Sequence, residues 1–341
     1  MKYLVTGGAG FIGCNFVRDL LQSGDSVEKV VVLDSLTYAG NLDNLADIIS
    51  ESDLRLEILP HGLLGLQLEG VAQRALDGVE VVVHLAAESH VDRSIQSAET
   101  AVRTNIEGTF RLLEACRRFP KIQRIIHIST DEVYGASACI DEIAFDESIQ
   151  LRPRNPYAAS KAAGEQLAYS YYVTYGLPVI IARPTNNYGP YQFPEKLIPL
   201  FVYKALRDEP LPVYGDGRQI RDWLHVGDHC RAIECLTEKG IVGQVYNIVG
   251  GNEHQNIEIV RLILDELGKP DSLIKHVADR PGHDIRYHLD GSKLAKLGWQ
   301  PQVDWEQGMR ETIRWFADHY DWLEASYQRG QDFFAKWYKD H

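Results

Sequence analysis

Short apolar runs rich in β-branched residues alternate with stretches whose apolar positions recur every three or four residues, and this alternation governs the first half of the chain. Tyr3-Leu-Val-Thr-Gly7, Lys29-Val-Val-Val-Leu33, Glu57-Ile-Leu-Pro-His-Gly62, Val79-Glu-Val-Val-Val-His-Leu85, Arg124-Ile-Ile-His-Ile-Ser129 and Pro178-Val-Ile-Ile-Ala182 are too short for helices, and they read as buried strands. Phe16, Val17, Leu20 and Leu21 fall on one face of a helix, and Ala101 to Arg118 and Tyr157 to Tyr175 read as longer helices. Strand and helix in turn predict an α/β fold, a doubly wound parallel sheet with right-handed crossovers and with ligands at the carboxyl ends of its strands.

Beyond Arg183-Pro184 the pattern becomes irregular and rich in Pro, Gly and Tyr, as expected of a smaller lobe of loops that covers a substrate. Gly243-Gln-Val-Tyr-Asn-Ile-Val249 restores a strand pattern, so the two units are expected to interleave. Residues 1–183, with 222–250 returning, form the larger domain, and 184–221 with 251–341 form the C-terminal substrate-binding domain. A chain of 341 residues holds both with ample core. The formal net charge of −13 argues against nucleic-acid or anionic-membrane partners, because phosphates would be repelled. Five scattered cysteines without metal-like pairing fit reduced thiols in a cytoplasm, and no residue set suggests a metal. No leader segment or membrane-spanning run is predicted.

The chemistry gathers where strands end. Gly7-Gly8-Ala9-Gly10-Phe11-Ile12-Gly13 joins the first strand to the first helix, and such a turn brings backbone N–H groups and a helix N-terminus to a pyrophosphate. Asp34 closes the second strand, about twenty residues past the last glycine. A carboxylate there accepts from both ribose hydroxyls and repels a 2′-phosphate, which favours NAD over NADP; the alternative is a solvated turn aspartate. Small residues at Ala86 and Ala87 let a cofactor lie against backbone. Tyr157 and Lys161 stand four apart on a helix, where an ammonium favours tyrosinate. Ser129-Thr130-Asp131-Glu132 adds a hydroxyl and two carboxyl groups, enough for a base and an acid that eliminate water. Adjacency in sequence does not by itself bring those two carboxyl groups together.

These segments resemble the extended short-chain dehydrogenase/reductase family, in its Rossmann-type nucleotide-sugar branch. The likeness runs through Gly7 to Gly13, Leu36 to Asn41, His84 to Ser94, Ser129 to Gly135, Tyr157 to Lys161, Asn186 to Tyr191, Phe193 to Pro199, Gln219 to Trp223 and Arg280 to Asp284. It implies an NAD-dependent lyase, a hydro-lyase that converts a nucleoside-diphosphate glucose, dTDP-glucose above others, to a 4-keto-6-deoxy sugar. By the resemblance, Thr130, Asp131, Glu132, Tyr157 and Lys161 are catalytic, with Asp131 as acid and Glu132 as base. The cofactor would meet Gly7, Gly10, Phe11, Ile12, Gly13, Asp34, Leu36, Thr37, Ala39 and Gly40, then Leu63, Leu64, Leu85, Ala86, Ala87 and Thr104, besides Tyr157 and Lys161. The substrate would meet Ser89, His90, Thr130, Asn186, Lys196, Leu197 and Pro212, with Tyr214 against its base. Arg221 and Arg280 would hold its phosphates, and Asn256 and His283 complete the set. The Val-Tyr-Gly turn can equally bury the Tyr214 ring in the core of the lobe. Family members commonly pair through the helices equivalent to Ala101–Phe119 and Tyr157–Tyr175, which implies a homodimer.

One segment departs from the family. Where an aspartate usually accepts from the adenine amino group, the chain has Leu63-Leu64. Losing a hydrogen bond to a charged acceptor costs about 1.5 to 3 kcal/mol, so NAD is expected to be held less firmly. Other readings are a UDP-glucuronate decarboxylase, a 4-epimerase, a 4,6-dehydratase on another nucleotide, or a redox-silent NAD-binding regulator. The Asp131-Glu132 pair speaks against an epimerase, which needs only Tyr, Lys and a hydroxyl.

Overall fold

The computed structural model describes residues 1–22, 26–51, 53–136, 144–279 and 283–337. Its strands are β1 (Lys2–Thr6), β2 (Lys29–Leu33), β3 (Leu56–Leu59), β4 (Val81–His84), β5 (Arg124–Ile128), β6 (Val179–Pro184), β7 (Asn186–Tyr188), β8 (Leu211–Tyr214), β9 (Ile220–His225), β10 (Val245–Ile248), β11 (Glu253–Gln255) and β12 (Ile274–Val277). A seven-stranded sheet runs in the order β10-β6-β5-β4-β1-β2-β3 with every neighbouring pair parallel. The β-branched runs account for it, since alternate side chains enter opposite cores. Val30 and Val32 pack with Phe16, Val17 and Ile233 on one face, and Val31 and Leu33 with Leu112 and Ile125 on the other.

Strand order reverses at β1, whose neighbours are β2 and β4. The crossovers leave β1 and β4 toward opposite faces, which opens a crevice at their carboxyl ends. The helix Phe11–Gln22 begins there, and the helix Pro156–Tyr175 runs from the Asn155 cap to Gly176, whose left-handed φ of 71° stops it. The stretch expected as one plain helix from Ala101 is wound as a π-helix over Val102–Gly108 before Thr109–Cys116 resumes α geometry. Such wider turns recur at functional sites, and this one carries Thr104 and Asn105.

In the lobe, β9 pairs with β7 in parallel and with β11 antiparallel, and β8 pairs with β12. Its core joins Tyr188, Ile198, Phe201, Trp223, Ile259, Ile313 and Phe316. β10 lies beside β6 in the large sheet, whereas β9 faces both ways: Leu224 enters the core under that sheet and Trp223 the core of the lobe. No helix among the described residues is long and apolar enough to cross a membrane.

Candidate active site

The glycine turn is built for close approach. Gly7 has φ +73°, and a Cβ on it would stand 2.7 Å from the Ala86 nitrogen; one on Gly13 would stand 2.1 Å from the Gly7 oxygen. With no acidic residue in the first turn of the helix Phe11–Gln22, its N-terminus presents free N–H groups and the positive end of the helix dipole. Asp34 is buried rather than solvated, and it accepts from Ala9 N at 3.0 Å and Leu36 N at 2.9 Å. Burial raises its pKa, against the pull of those two bonds. Gly40 has no room for a side chain, because a Cβ would reach within 2.5 Å of Asp34 Oδ1.

These groups open on a cavity of ≈ 570 Å³. It is lined by Gly7, Gly10, Phe11, Ile12, Gly13, Asp34, Thr37, Ala39, Gly40, Leu63, Leu64, Leu85, Ala86, Ala87 and Thr104, and it reaches Tyr157 and Lys161. Leu36, expected among them, is not part of the lining; with φ +50° it turns its N–H to Asp34 and so positions the acid. Leu63 is buried in the core with Leu66 and Leu112, its Cδ1 2.8 Å from where a Gly108 Cβ would stand, and it offers no polar acceptor. His61, Gly62, Arg103 and Gly108 also line this end and carry no motif that singles them out in sequence. Backbone donors at a helix N-terminus, a buried carboxylate at the end of β2 and a floor without side chains fit a dinucleotide whose adenine end meets a mostly apolar wall.

At the far end of the cavity, β5 stops and Asp131–Tyr134 turns as a 3-10 helix capped by Thr130, whose Oγ1 accepts from Glu132 N. Thr130 Oγ1 donates to Asp131 Oδ1 at 3.1 Å, while Asp131 Oδ2 is buried without a hydrogen-bond partner. Burial, then the charge of Glu132, pushes the Asp131 carboxyl up to about 8. Glu132 Oε2 accepts from Asn155 Nδ2 at 2.9 Å. The two carboxyl groups therefore share one cavity wall but not one environment: Asp131 is buried with its carboxyl raised, and Glu132 is held by Asn155.

Tyr157 sits opposite. Its pKa is raised by burial and then by Glu132, while a hydrogen bond with the Thr130 hydroxyl pulls it down. The lowering expected from Lys161 is not what this site displays. Lys161 is buried, donates to the Ile128 carbonyl at 2.6 Å, and is itself driven down to about 8 by desolvation. Behind them, Asn105 Nδ2 donates to Ser160 Oγ at 2.8 Å, Ser160 Oγ donates to Tyr157 O, and Tyr157 N donates to Ser94 Oγ. The π-helical turn thus buttresses the backbone of the tyrosine.

A second cavity of ≈ 190 Å³ continues into the lobe. Glu132, Asn186, Asn187, Gln192, Glu195 and Lys196 line both. His90, Leu197, Pro212, Tyr214, Arg221, Asn256 and His283 line the second, whereas Ser89 and Thr130 line the first. Tyr214 is half-buried at the cavity with its ring near-perpendicular to that of His283, not in the core of the lobe. Arg221 is fixed over the Tyr287 ring, and its guanidinium donates to the carbonyls of Ile220 and Asp284. Arg280 lies outside the described residues. Sequence reasoning missed Asn155, Tyr287 and Glu195. Burial pushes Glu195 up to about 7 despite Arg93 Nε at 3.2 Å; it lies within Phe193–Pro199, and only its burial distinguishes it.

Residues 4–312 match the model of the family described as GDP-mannose 4,6 dehydratase. A dTDP-glucose 4,6-dehydratase of Streptomyces niveus is 49% identical over 328 residues, 95% of each chain. The structure of DesIV, a dTDP-glucose 4,6-dehydratase from Streptomyces venezuelae solved with NAD bound, superposes with a TM-score of 0.91 at 48% identity, covering 96% of this chain and 100% of that one. A UDP-glucuronic acid 4-epimerase from Bacillus cereus, also with NAD, follows at TM-score 0.86 and 30% identity, covering 94% of this chain and 100% of the other.

Proposed function

The chain belongs to the GDP-mannose 4,6 dehydratase family, and on that premise we propose that it is an NAD-dependent hydro-lyase that converts dTDP-glucose to its 4-keto-6-deoxy sugar. The observation that carries this reading is the unequal carboxyl pair opposite Tyr157: Asp131 holds its proton to about pH 8, and Glu132 is anchored by Asn155. Elimination of water across C5 and C6 needs a second base and an acid besides Tyr157, and an epimerase has no use for that carboxyl pair.

When bound, NAD supplies a hydride acceptor for C4 and a hydride donor for C6. Gly7, Gly10, Gly13 and the helix N-terminus would hold its pyrophosphate, and Asp34 its adenosine ribose. Tyr157 takes the O4 proton, with the Thr130 hydroxyl orienting that oxygen. The resulting C4 ketone acidifies C5. Glu132 takes the C5 proton, its bonding pair becomes the C5–C6 double bond, and the C6–O bond breaks as Asp131 protonates the departing hydroxyl to water. Glu132 gives its proton back to C5 as the double bond is reduced. A turnover leaves Tyr157 with one proton more and Asp131 with one fewer, and proton exchange with solvent restores both before the next.

Arg221, with Arg280, takes the diphosphate, Asn186 and Asn256 add neutral donors, and Tyr214 stacks on the base. The division of labour assigns 1–183 with 222–250 to NAD and 184–221 with 251–341 to the sugar nucleotide. The protein works in the cytoplasm, consistent with the free Cys14, Cys116, Cys230 and Cys235. It is a homodimer, a reading supported by the exposed Val102, Tyr169, Val173 and Tyr175 on its two outer helices. Supplied with NAD, the protein is expected to turn dTDP-glucose faster than UDP-glucose into a product that absorbs in alkali as a 4-keto sugar does. No such absorbance from either substrate would reject the assignment.

A further inference from the structure

The aromatic C-terminal segment reaches the glycine turn. In the helix Tyr320–Trp337, the Trp322 indole Nε1 donates to Asn44 Oδ1 at 2.9 Å, and Asn44 Nδ2 donates at 2.9 Å to the carbonyl of Ala9. That carbonyl also accepts from Asn41 N at 3.0 Å, and Ala9 N donates to Asp34 Oδ2. The peptides on both sides of Ala9, between Gly8 and Gly10, are thereby clamped, and their orientation sets how the chain enters the helix whose N-terminus faces the pyrophosphate. Asn44 is buried, so removing the indole N–H leaves its side-chain oxygen without that partner, and the amide loses the group that fixes its rotation.

We infer that Trp322 is a positioning residue for the cofactor: through Asn44, the C-terminal helix holds the Ala9 peptide in the orientation that binds the NAD pyrophosphate. The inference rests on the NAD reading above. It gives the amphipathic tail a task beyond covering the core of the lobe, and it ties that lobe to the cofactor turn at a point remote from the reacting atoms. With Leu63 unable to accept from the adenine, the pyrophosphate contacts carry a larger share of cofactor retention, and their geometry matters more.

Calorimetry on the full chain, stripped of nucleotide, separates the claims, with NAD and dTDP titrated independently. Trp322→Phe keeps a ring against Tyr191, Trp315 and Phe316 but removes the donor. Asn44→Asp keeps an acceptor for the indole and turns an oxygen on the Ala9 carbonyl. Trp322→Phe is expected to raise the NAD Kd about three- to tenfold, the size of one hydrogen bond. Asn44→Asp should raise it at least as much, the double variant should be no worse than Asn44→Asp by more than about twofold, and dTDP affinity should be unchanged. The inference is overturned if Trp322→Phe binds NAD as the unaltered protein does, or if NAD and dTDP affinities fall together. Failure of the unaltered protein to bind NAD would instead overturn the reading beneath it.

Discussion

Asn155 holds Glu132. Its Nδ2 donates to Glu132 Oε2 at 2.9 Å, and its Oδ1 accepts from Ala158 N at 2.8 Å, so one side chain both caps the helix that carries Tyr157 and fixes the proposed base. Asn155→Ala should cost about 1 kcal/mol of stability from the lost cap. A freed Glu132 should also lower the elimination rate ten- to a hundredfold. Rapid-mixing kinetics, following NADH absorbance and C5 proton exchange separately, should find the oxidation kept and the exchange slowed.

The pH dependence follows from Asp131. Its folded pKa, about 8, lies above the value near 3.9 of an unfolded aspartate, so the folded state binds this proton more tightly. Its acid form is present below pH 8 and is lost as the pH rises through that value, and turnover should fall with it. The same sign means that this group favours folding least above pH 8. Asp131→Asn should abolish dehydration yet raise the melting temperature, by a margin that widens as the pH climbs from 5 to 9. A margin constant with pH would contradict the assignment.

Tyr157→Phe should block the first step. The variant should bind NAD and dTDP-glucose but develop no NADH absorbance even in a single turnover, whereas Glu132→Gln should accumulate NADH. A transient in the phenylalanine variant would remove Tyr157 from its role.

Leu63 predicts weak retention. Its side chain lies in the core against Gly108, so purified protein should carry less than one NAD per chain, and added NAD should raise its activity. Nucleotide extraction followed by chromatography measures this directly, and stoichiometric, slowly released NAD would require another acceptor for the adenine.

The glycine turn and Asp34 were legible because geometry forces them: only glycine fits beside Ala86, and a carboxylate ending β2 faces the crevice. The sheet was legible for a related reason, since two buried faces leave runs such as Lys29–Leu33 no other reading. Convergence was not. That Asp131 is buried with its carboxyl raised, while Glu132 on the same wall is held by Asn155, more than twenty residues away, depends on tertiary packing. Leu36 looked like a wall residue and instead turns its N–H to Asp34. The anchoring of Lys161 to the Ile128 carbonyl could not be read from its spacing to Tyr157. The link from Trp322 to Asn44 spans most of the chain, and no periodicity reveals it.

The most direct test of the central claim uses dTDP-glucose carrying deuterium at C4. Internal hydride return predicts a 4-keto-6-deoxy product with that deuterium in its C6 methyl group, read by mass spectrometry and NMR, with the C5 hydrogen drawn from solvent. Deuterium retained at C4 in a C4 epimer, or a 4-keto product without deuterium at C6, would contradict it.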